Sequence, residues 1–231
     1  MLLLLFAGMI VHMDNNILGL VISFVFLGLV IGIAVLLRRF TGFSSEFIRK
    51  FIHIGVSNWW FILMAWMDNL WYALAGPVVF IILNSVMTFG GYGGFLGMND
   101  KKRNYGLIYF PISLLILVLL VYNGKLAAAA ATIGVLSMGY GDGLAAIVGH
   151  AWGKRKLPFL TGGKTWLGTV VMFFVVVVVA YVFAPISEVP YRLVVAVTTG
   201  LVGAFLEAAT PLGLDNVTVP LGTALWVAVL C

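Results

Sequence analysis

Residues 139–169 combine an aspartate, several glycines, five basic or histidine side chains and a GGKT turn between two long apolar segments. An acid within or at the edge of a membrane helix costs about 2.5–3.5 kcal/mol on insertion scales, so it is seldom retained without a partner or a function. On an α-helix one face would carry only this acid and very small side chains, at Asp142, Ala146, Gly149 and Gly153. This face fits either close packing of a neighbouring helix or a smooth surface for a nucleotide whose metal is held by Asp142.

The GGKT turn, residues 162–165, favours a phosphate site. Thr165 can cap the following helix, whose free amide groups attract an anion, and Lys164 adds a positive charge beside Gly162 and Gly163. The turn is not a Walker A loop, because that pattern requires glycine where this chain has Pro158. Upstream, GDGLAA around Gly141 matches a dinucleotide-binding pattern, but without a preceding strand that pattern carries little weight.

Two further motifs carry charged side chains. Arg49 and His53 lie four residues apart, so both can face one site, with Lys50 beside them; snorkelling basic residues and a structural histidine are the alternative. Glu207 follows a long uncharged segment and precedes a Pro-Gly turn. After that turn, Asp215 and Asn216 provide the oxygen ligands that Mg²⁺ prefers, although a helix cap would use the same residue types.

The composition shows what must position these residues. Hydrophobic residues make up 63% of the chain, charged residues 9%, and the mean hydropathy is +1.14, which excludes an ordinary soluble domain. Long apolar segments must satisfy their backbone polar groups internally, so we expect an all-α, polytopic membrane protein. Cys231, the single cysteine, excludes an intramolecular disulfide. The small net charge of +5 does not indicate a nucleic-acid-binding protein.

We expect about seven to eight transmembrane helices in one bundle and a single domain over 1–231. Residues 1–12 are apolar but too short to span a bilayer, so they are predicted to lie at the interface. The predicted spans are 17–37, 51–67, 70–89, 105–122, 126–150, 166–184, 191–209 and a short 216–231.

The basic residues predict the orientation. The connections at 38–50, 100–104 and 152–165 hold eleven of the thirteen lysines and arginines, so the positive-inside rule makes them cytoplasmic. The amino terminus is then predicted outside. Every polar motif falls at the cytoplasmic end of a helix.

Three motifs occur in order within residues 49–222: RKxxH, then DGxAAxxGxxxGK with KTxxGT, then ExxTPxGxDNxTVPL. In this arrangement the chain resembles the CTP-dependent polyprenol kinase family, which acts on phytol-, farnesol-, geranylgeraniol- or dolichol-type alcohols or on diacylglycerol. The related phosphatidate cytidylyltransferases share Asp142, the glycines and the KTW segment. They end in GHGGxxDRxD, where this chain has GLDNVTVPL.

The resemblance implies a cytoplasmic site that binds CTP and Mg²⁺ and phosphorylates a lipid alcohol arriving from the bilayer. It implies that Lys164 and the turn 162–165 bind phosphates, and that Asp142, Asp215 and Asn216 hold Mg²⁺. Asp215, or else Glu207, would orient or deprotonate the alcohol. The remaining cofactor-binding residues implied are Arg49, Lys50, His53, Gly141, Gly149 and Gly153.

Two other functions fit parts of the pattern. Cytidylyl transfer to a phosphorylated lipid would use a similar nucleotide site. A transporter could use Asp142 and Glu207 along an ion route, although the acids lie near one face and no internal repeat is visible. The tail length of the alcohol and the oligomeric state are not encoded in these motifs.

Overall fold

A computed structural model describes residues 14–90, 101–158 and 163–231. The predicted interfacial segment 1–12 and the glycine-rich stretch after residue 90 lie outside the described residues. The described helices are α1 (Asn15–Phe40), α2 (Ser45–Ser57), α3 (Trp59–Trp66), α4 (Leu70–Phe89), α5 (Lys101–Tyr122), α6 (Ala128–Leu136), α7 (Gly143–Trp152), α8 (Trp166–Phe183), α9 (Val189–Ala209) and α10 (Asp215–Leu230). A π-helical segment, Ser137–Asp142, joins α6 to α7 without a break.

The predicted all-α membrane architecture is confirmed. Among the described residues, six helices are long and apolar enough to cross a membrane, and α10 is a shorter apolar helix. The segment predicted as one span at 51–67 is divided between α2 and α3. The division falls at Asn58, whose side-chain amide donates to the carbonyl of Ile54 (2.8 Å), so the chain bends where the side chain competes for helical hydrogen bonds.

The helix from Ala128 to Trp152 lies at the centre of the bundle. In its most apolar window 72% of the residues are buried, compared with 17–33% in the other five candidate spans. It packs against α2, α8 and α10, while α9 lies along α8 and α4 lies along α5. Gly134 allows the close approach of α10, because a Cβ there would lie 2.9 Å from the Cβ of Ala224.

Side-chain caps fix where several helices begin. Ser44 accepts a hydrogen bond from the amide of Phe47, Asn69 from that of Trp71, and Thr165 from that of Gly168. The caps at Ser44 and Thr165 lie at the end of the bundle that carries the basic connections. They therefore fix the starts of α2, which carries Lys50, and of α8, which directly follows Lys164 and Thr165.

Candidate active site

A polar cavity of about 400 Å³ opens at one end of the bundle. Its lining comes from the starts of α2, α5, α8 and α10, from the ends of α7 and α9, and from two connections between them. These elements bring distant segments of the sequence together. The residues that line it and carry charge are Glu46, Arg49, Lys50, Asp142, Lys164, Glu207 and Asp215.

The first ion pair joins α2 to the central helix. The Lys50 ammonium donates a hydrogen bond to Oδ2 of Asp142, and both side chains are almost entirely buried. Since a buried charge is costly unless it is paired, each of these residues offsets the cost of burying the other. The pair places a carboxylate and an ammonium together on one wall of the cavity.

Lys164 forms the second charged centre. Its ammonium lies 2.9 Å from Oδ2 of Asp215 and 3.1 Å from Oε1 of Glu207, and it also donates to the backbone carbonyl of Glu207. Burial alone would lower the pKa of Lys164, but Asp215 and Glu207 outweigh it and raise that pKa above its ordinary value. The Lys164 side chain is therefore a charged ammonium at neutral pH.

The three acids converge. Asp142, Glu207 and Asp215 each offer an oxygen within 4.8 Å of the others, and all three residues are buried. Oε2 of Glu207 is buried without a hydrogen-bond partner in the described residues. Three carboxylates face two ammonium groups here, so the group retains capacity for a cation, and carboxylate oxygens suit a hard divalent ion.

Asn216 supports this acidic group from the side. Its backbone amide and its side-chain amide nitrogen both lie 3.1 Å from Oδ1 of Asp215, and the side chain also donates to the carbonyl of Gly213. Since Lys164 binds the other oxygen of Asp215, both oxygens of that carboxylate have partners. Asn216 therefore orients Asp215.

Backbone hydrogen bonds hold the turn before α8, whose residues Gly163, Lys164 and Thr165 line the cavity. Lys156 and Thr165 form an isolated antiparallel bridge, and the amide of Leu157 donates to the carbonyl of Lys164 (2.9 Å). Gly163 has φ +76°, a backbone conformation that glycine adopts without strain. The amides of Trp166 and Gly168 at the start of α8 already donate to the carbonyl of Arg155 and to Oγ1 of Thr165. The Lys164 ammonium is therefore the group of this turn that suits an anion such as a phosphate.

His53 lies one helical turn beyond Arg49 and Lys50 and also lines the cavity. Its ring packs on Phe110 with centroids 4.2 Å apart. Nε2 is buried and has no hydrogen-bond partner among the described residues. The polar residues of the cavity thus border an aromatic, apolar surface at His53.

Among curated proteins, the chain is similar to a phytol kinase from Synechocystis sp. (strain ATCC 27184 / PCC 6803 / Kazusa). The two are 33% identical over 212 residues, which covers 87% of this chain and 86% of the relative. The chain belongs to the polyprenol kinase family. No family model matches the chain, and no solved structure matches it. Membership supports a prenol-type kinase at family level, and a kinase requires a nucleotide phosphoryl donor.

Most residues that the sequence singled out for a polyprenol kinase site line the cavity. Besides the charged residues above, His53, Gly149, Gly163, Thr165 and Asn216 do so. Arg49 lies there in an ion pair with Glu46 (2.6 Å). Residues from all three sequence motifs therefore line one cavity.

Two predicted residues lie elsewhere, and a third is not described. A Cβ at Gly141 would meet Sδ of Met172 at 2.5 Å, so Gly141 packs against α8 rather than facing a ligand. Gly153 caps α7 and packs against Thr165, where a Cβ would lie 2.8 Å from the Thr165 Cβ. Both are corrections to the cofactor-binding set. Gly162 lies outside the described residues.

Sequence reasoning missed several residues that line the cavity. Glu46 could have been found, because an acid three residues before Arg49 on a helix predicts an ion pair. His150 also lines the cavity. Gly106 and Leu107 gave no signal, because they are a glycine and an apolar residue that follow the basic first turn of α5.

Proposed function

We propose that this chain is a CTP-dependent kinase that phosphorylates the hydroxyl of a membrane isoprenoid alcohol of the phytol, geranylgeraniol, farnesol or dolichol type. The observation that carries the proposal is the buried group of Asp142, Glu207 and Asp215, paired with Lys50 and Lys164 in one cavity. Phosphoryl transfer requires mainly that phosphates and metal be held in line with the attacking hydroxyl. Acids and lysines in one cavity provide those groups.

The acidic group fits Mg²⁺. Asp142, Glu207 and Asp215 would hold the ion, because one oxygen from each lies within 4.8 Å of the others. Asn216, predicted as a ligand, fits better as the residue that orients Asp215. A bound Mg²⁺ would neutralise part of the phosphate charge.

The lysines would bind the phosphates of the donor. In the structure Lys50 and Lys164 neutralise the carboxylates. With the carboxylates neutralised by a bound cation, both ammonium groups would be available for phosphate oxygens. Gly163 and Thr165, which line the cavity beside Lys164, would complete this phosphate-binding side.

The alcohol oxygen would form a bond to the γ-phosphorus as the bond to the β–γ bridging oxygen breaks, and CDP would leave. The hydroxyl proton passes to a carboxylate. Glu207 is the first choice, because its Oε2 lacks a partner whereas both oxygens of Asp215 are hydrogen-bonded. This assignment reverses the order that the resemblance implied.

We place the site at the cytoplasmic face. The cavity is lined by the ends of helices that flank the basic connections, and the excess of lysine and arginine there supports a cytoplasmic position. A site at this face would meet cytoplasmic nucleotide on one side and the acyl-chain boundary on the other.

A double-label experiment tests the reaction. Purified protein is incubated with phytol and Mg²⁺ and with CTP labelled either in the γ-phosphate or in the base. A kinase places the γ-label on the lipid and leaves the base label in CDP. Base label in the lipid, given a phosphorylated acceptor, would instead identify cytidylyl transfer, and no transfer to any alcohol would refute the proposal.

A further inference from the structure

We infer that His53 and Phe110 form the acceptor subsite, in which Nε2 of His53 hydrogen-bonds the hydroxyl of the isoprenoid alcohol and Phe110 contacts the first part of its tail. This inference rests on the proposed kinase function and assigns its acceptor side. It also gives His53 a different role from the phosphate binding that the resemblance implied.

The unsatisfied nitrogen of His53 is the first observation. His53 is 7% exposed and lines the cavity, yet Nε2 has no partner among the described residues. Buried polar groups are nearly always paired, and leaving one unpaired costs about 1–3 kcal/mol. A hydroxyl both donates and accepts, so it satisfies this nitrogen in either protonation state.

His53 lies on a different element from the phosphate-binding turn. Lys164 and Gly163 precede α8, whereas His53 lies on α2. Lys50, three residues earlier on the same helix, binds Asp142, so His53 lies about one helical turn from the edge of the acidic group. A hydroxyl at His53 would therefore lie beside the acids.

The surroundings of His53 become apolar in the direction away from the acids. Its ring packs on Phe110, which is 3% exposed. Beyond His53, Val56 on α2 and Pro111 and Leu114 on α5 line a second, separate cavity whose whole lining is apolar. That cavity holds only about 10 Å³, so it is not a preformed pocket for a tail. The apolar residues around Phe110 nevertheless suit contact with the first part of an isoprenoid tail.

Two substitutions at His53 separate acceptor binding from structure. His53→Phe keeps a ring against Phe110 but removes the polar nitrogen, and His53→Gln restores a hydrogen-bonding group of similar reach. With geranylgeraniol we expect kcat/KM to fall about tenfold or more in His53→Phe and to recover partly in His53→Gln. The affinity for CTP and Mg²⁺, measured by thermal stabilisation without alcohol, should stay within about twofold of the wild type.

Phe110→Leu tests the tail contact. It should raise KM for geranylgeraniol more than KM for the five-carbon prenol, because the short alcohol makes little contact beyond the first isoprene unit. Equal effects on the two alcohols would contradict the tail assignment.

Three results overturn the inference. One is a wild-type kcat/KM for alcohol in a folded His53→Phe protein. Another is a loss of CTP affinity with unchanged alcohol KM, which would return His53 to the phosphate side. Failure of the wild type to phosphorylate any alcohol refutes the proposed function itself, and is recognised because it occurs before any substitution is made.

Discussion

Glu207 is the least satisfied charged residue in the cavity. One of its oxygens binds Lys164 and the other is buried without a partner in the described part of the chain. Glu207→Gln should raise the Mg²⁺ concentration that half-saturates CTP-dependent thermal stabilisation by about tenfold, because one anionic ligand is lost. Glu188→Gln, an exposed position near the start of α9, is the matched control. An unchanged Mg²⁺ dependence in Glu207→Gln would remove this residue from the metal site.

Lys164 is expected to stabilise the protein when no cation is bound. Lys164→Met leaves Asp215 and Glu207 without their shared ammonium, and breaking a buried pair costs about 3–5 kcal/mol. Its Tm should fall, and Mg²⁺ should raise that Tm more than it raises the Tm of the wild type. Lys125→Met, an exposed lysine, is the control.

The charge of Lys164 also predicts how its contribution to stability depends on pH. Since the pKa of Lys164 is raised in the folded protein, its contribution is fully present below the unfolded-state pKa of about 10.4 and is lost only above it. The difference in Tm between wild type and Lys164→Met should therefore stay constant from pH 6 to pH 9. A difference that disappears within that range would mean that Lys164 is not held charged by its carboxylates.

Helix contacts around α7 and α8 hold the phosphate-binding turn. A Cβ at Gly149 would lie 2.7 Å from Oγ1 of Thr165 and 3.3 Å from Cα of Gly168. Gly149→Ala should therefore displace the Thr165 cap, lower stability by about 1–3 kcal/mol and weaken CTP binding. Gly28→Ala, at a helical position with nothing within 4 Å, should have no such effect on CTP binding. Equal CTP affinity in both variants would show that this contact does not support the turn.

The sequence predicted the helices and one face of the central helix, but not the π-helical segment before that face. Spacing on an ideal α-helix placed Asp142, Ala146, Gly149 and Gly153 on one face, and the first three of these line the cavity together. The π-helical segment ends at Asp142 and holds about one extra residue per turn, which changes the direction only of the side chains that precede this face. Gly141 in that segment packs on Met172. No residue pattern in SMGYGD identified this change in advance.

The charged motifs were visible in the sequence, but their pairing was not. An acid at position 207 after a long apolar segment is conspicuous. Its approach to Asp142 and to Lys164 depends on how α9 packs against α8, which the spacing of residues in one chain does not determine. His53 shows the same limit. Its contact with Phe110 on α5 and the lack of a partner for its Nε2 among the described residues both depend on helix packing, which residue spacing does not determine.

At the scale of the whole molecule, chemical labelling of Cys231 can show which side of the membrane each end of the bundle faces. The hydroxyl of Tyr191 donates to the carbonyl of Leu230 (2.5 Å), which ties the end of α10 to the start of α9, opposite the cavity. Cys231 is exposed at that end, so the proposed topology puts it outside. A membrane-impermeant maleimide should label it in intact cells.

A cysteine introduced at the opposite end of the bundle tests the same orientation from the other side of the membrane. In a Cys231→Ser background, Lys154→Cys should react only after the membrane is permeabilised. The reverse labelling pattern would place the cavity outside, away from cytoplasmic CTP.

The decisive measurement of the proposed kinase reaction is transfer of the γ-phosphoryl group of CTP to phytol by the wild type and by Asp142→Asn. Asp142 contacts Lys50 and belongs to the acidic group, so the substitution removes one carboxylate from the site with little change in shape. We expect phytyl phosphate from the wild type and a rate at least about a hundredfold lower from an Asp142→Asn protein that remains folded. Equal rates from the two proteins, or no phytyl phosphate from the wild type, would rule out a kinase that uses this acidic group.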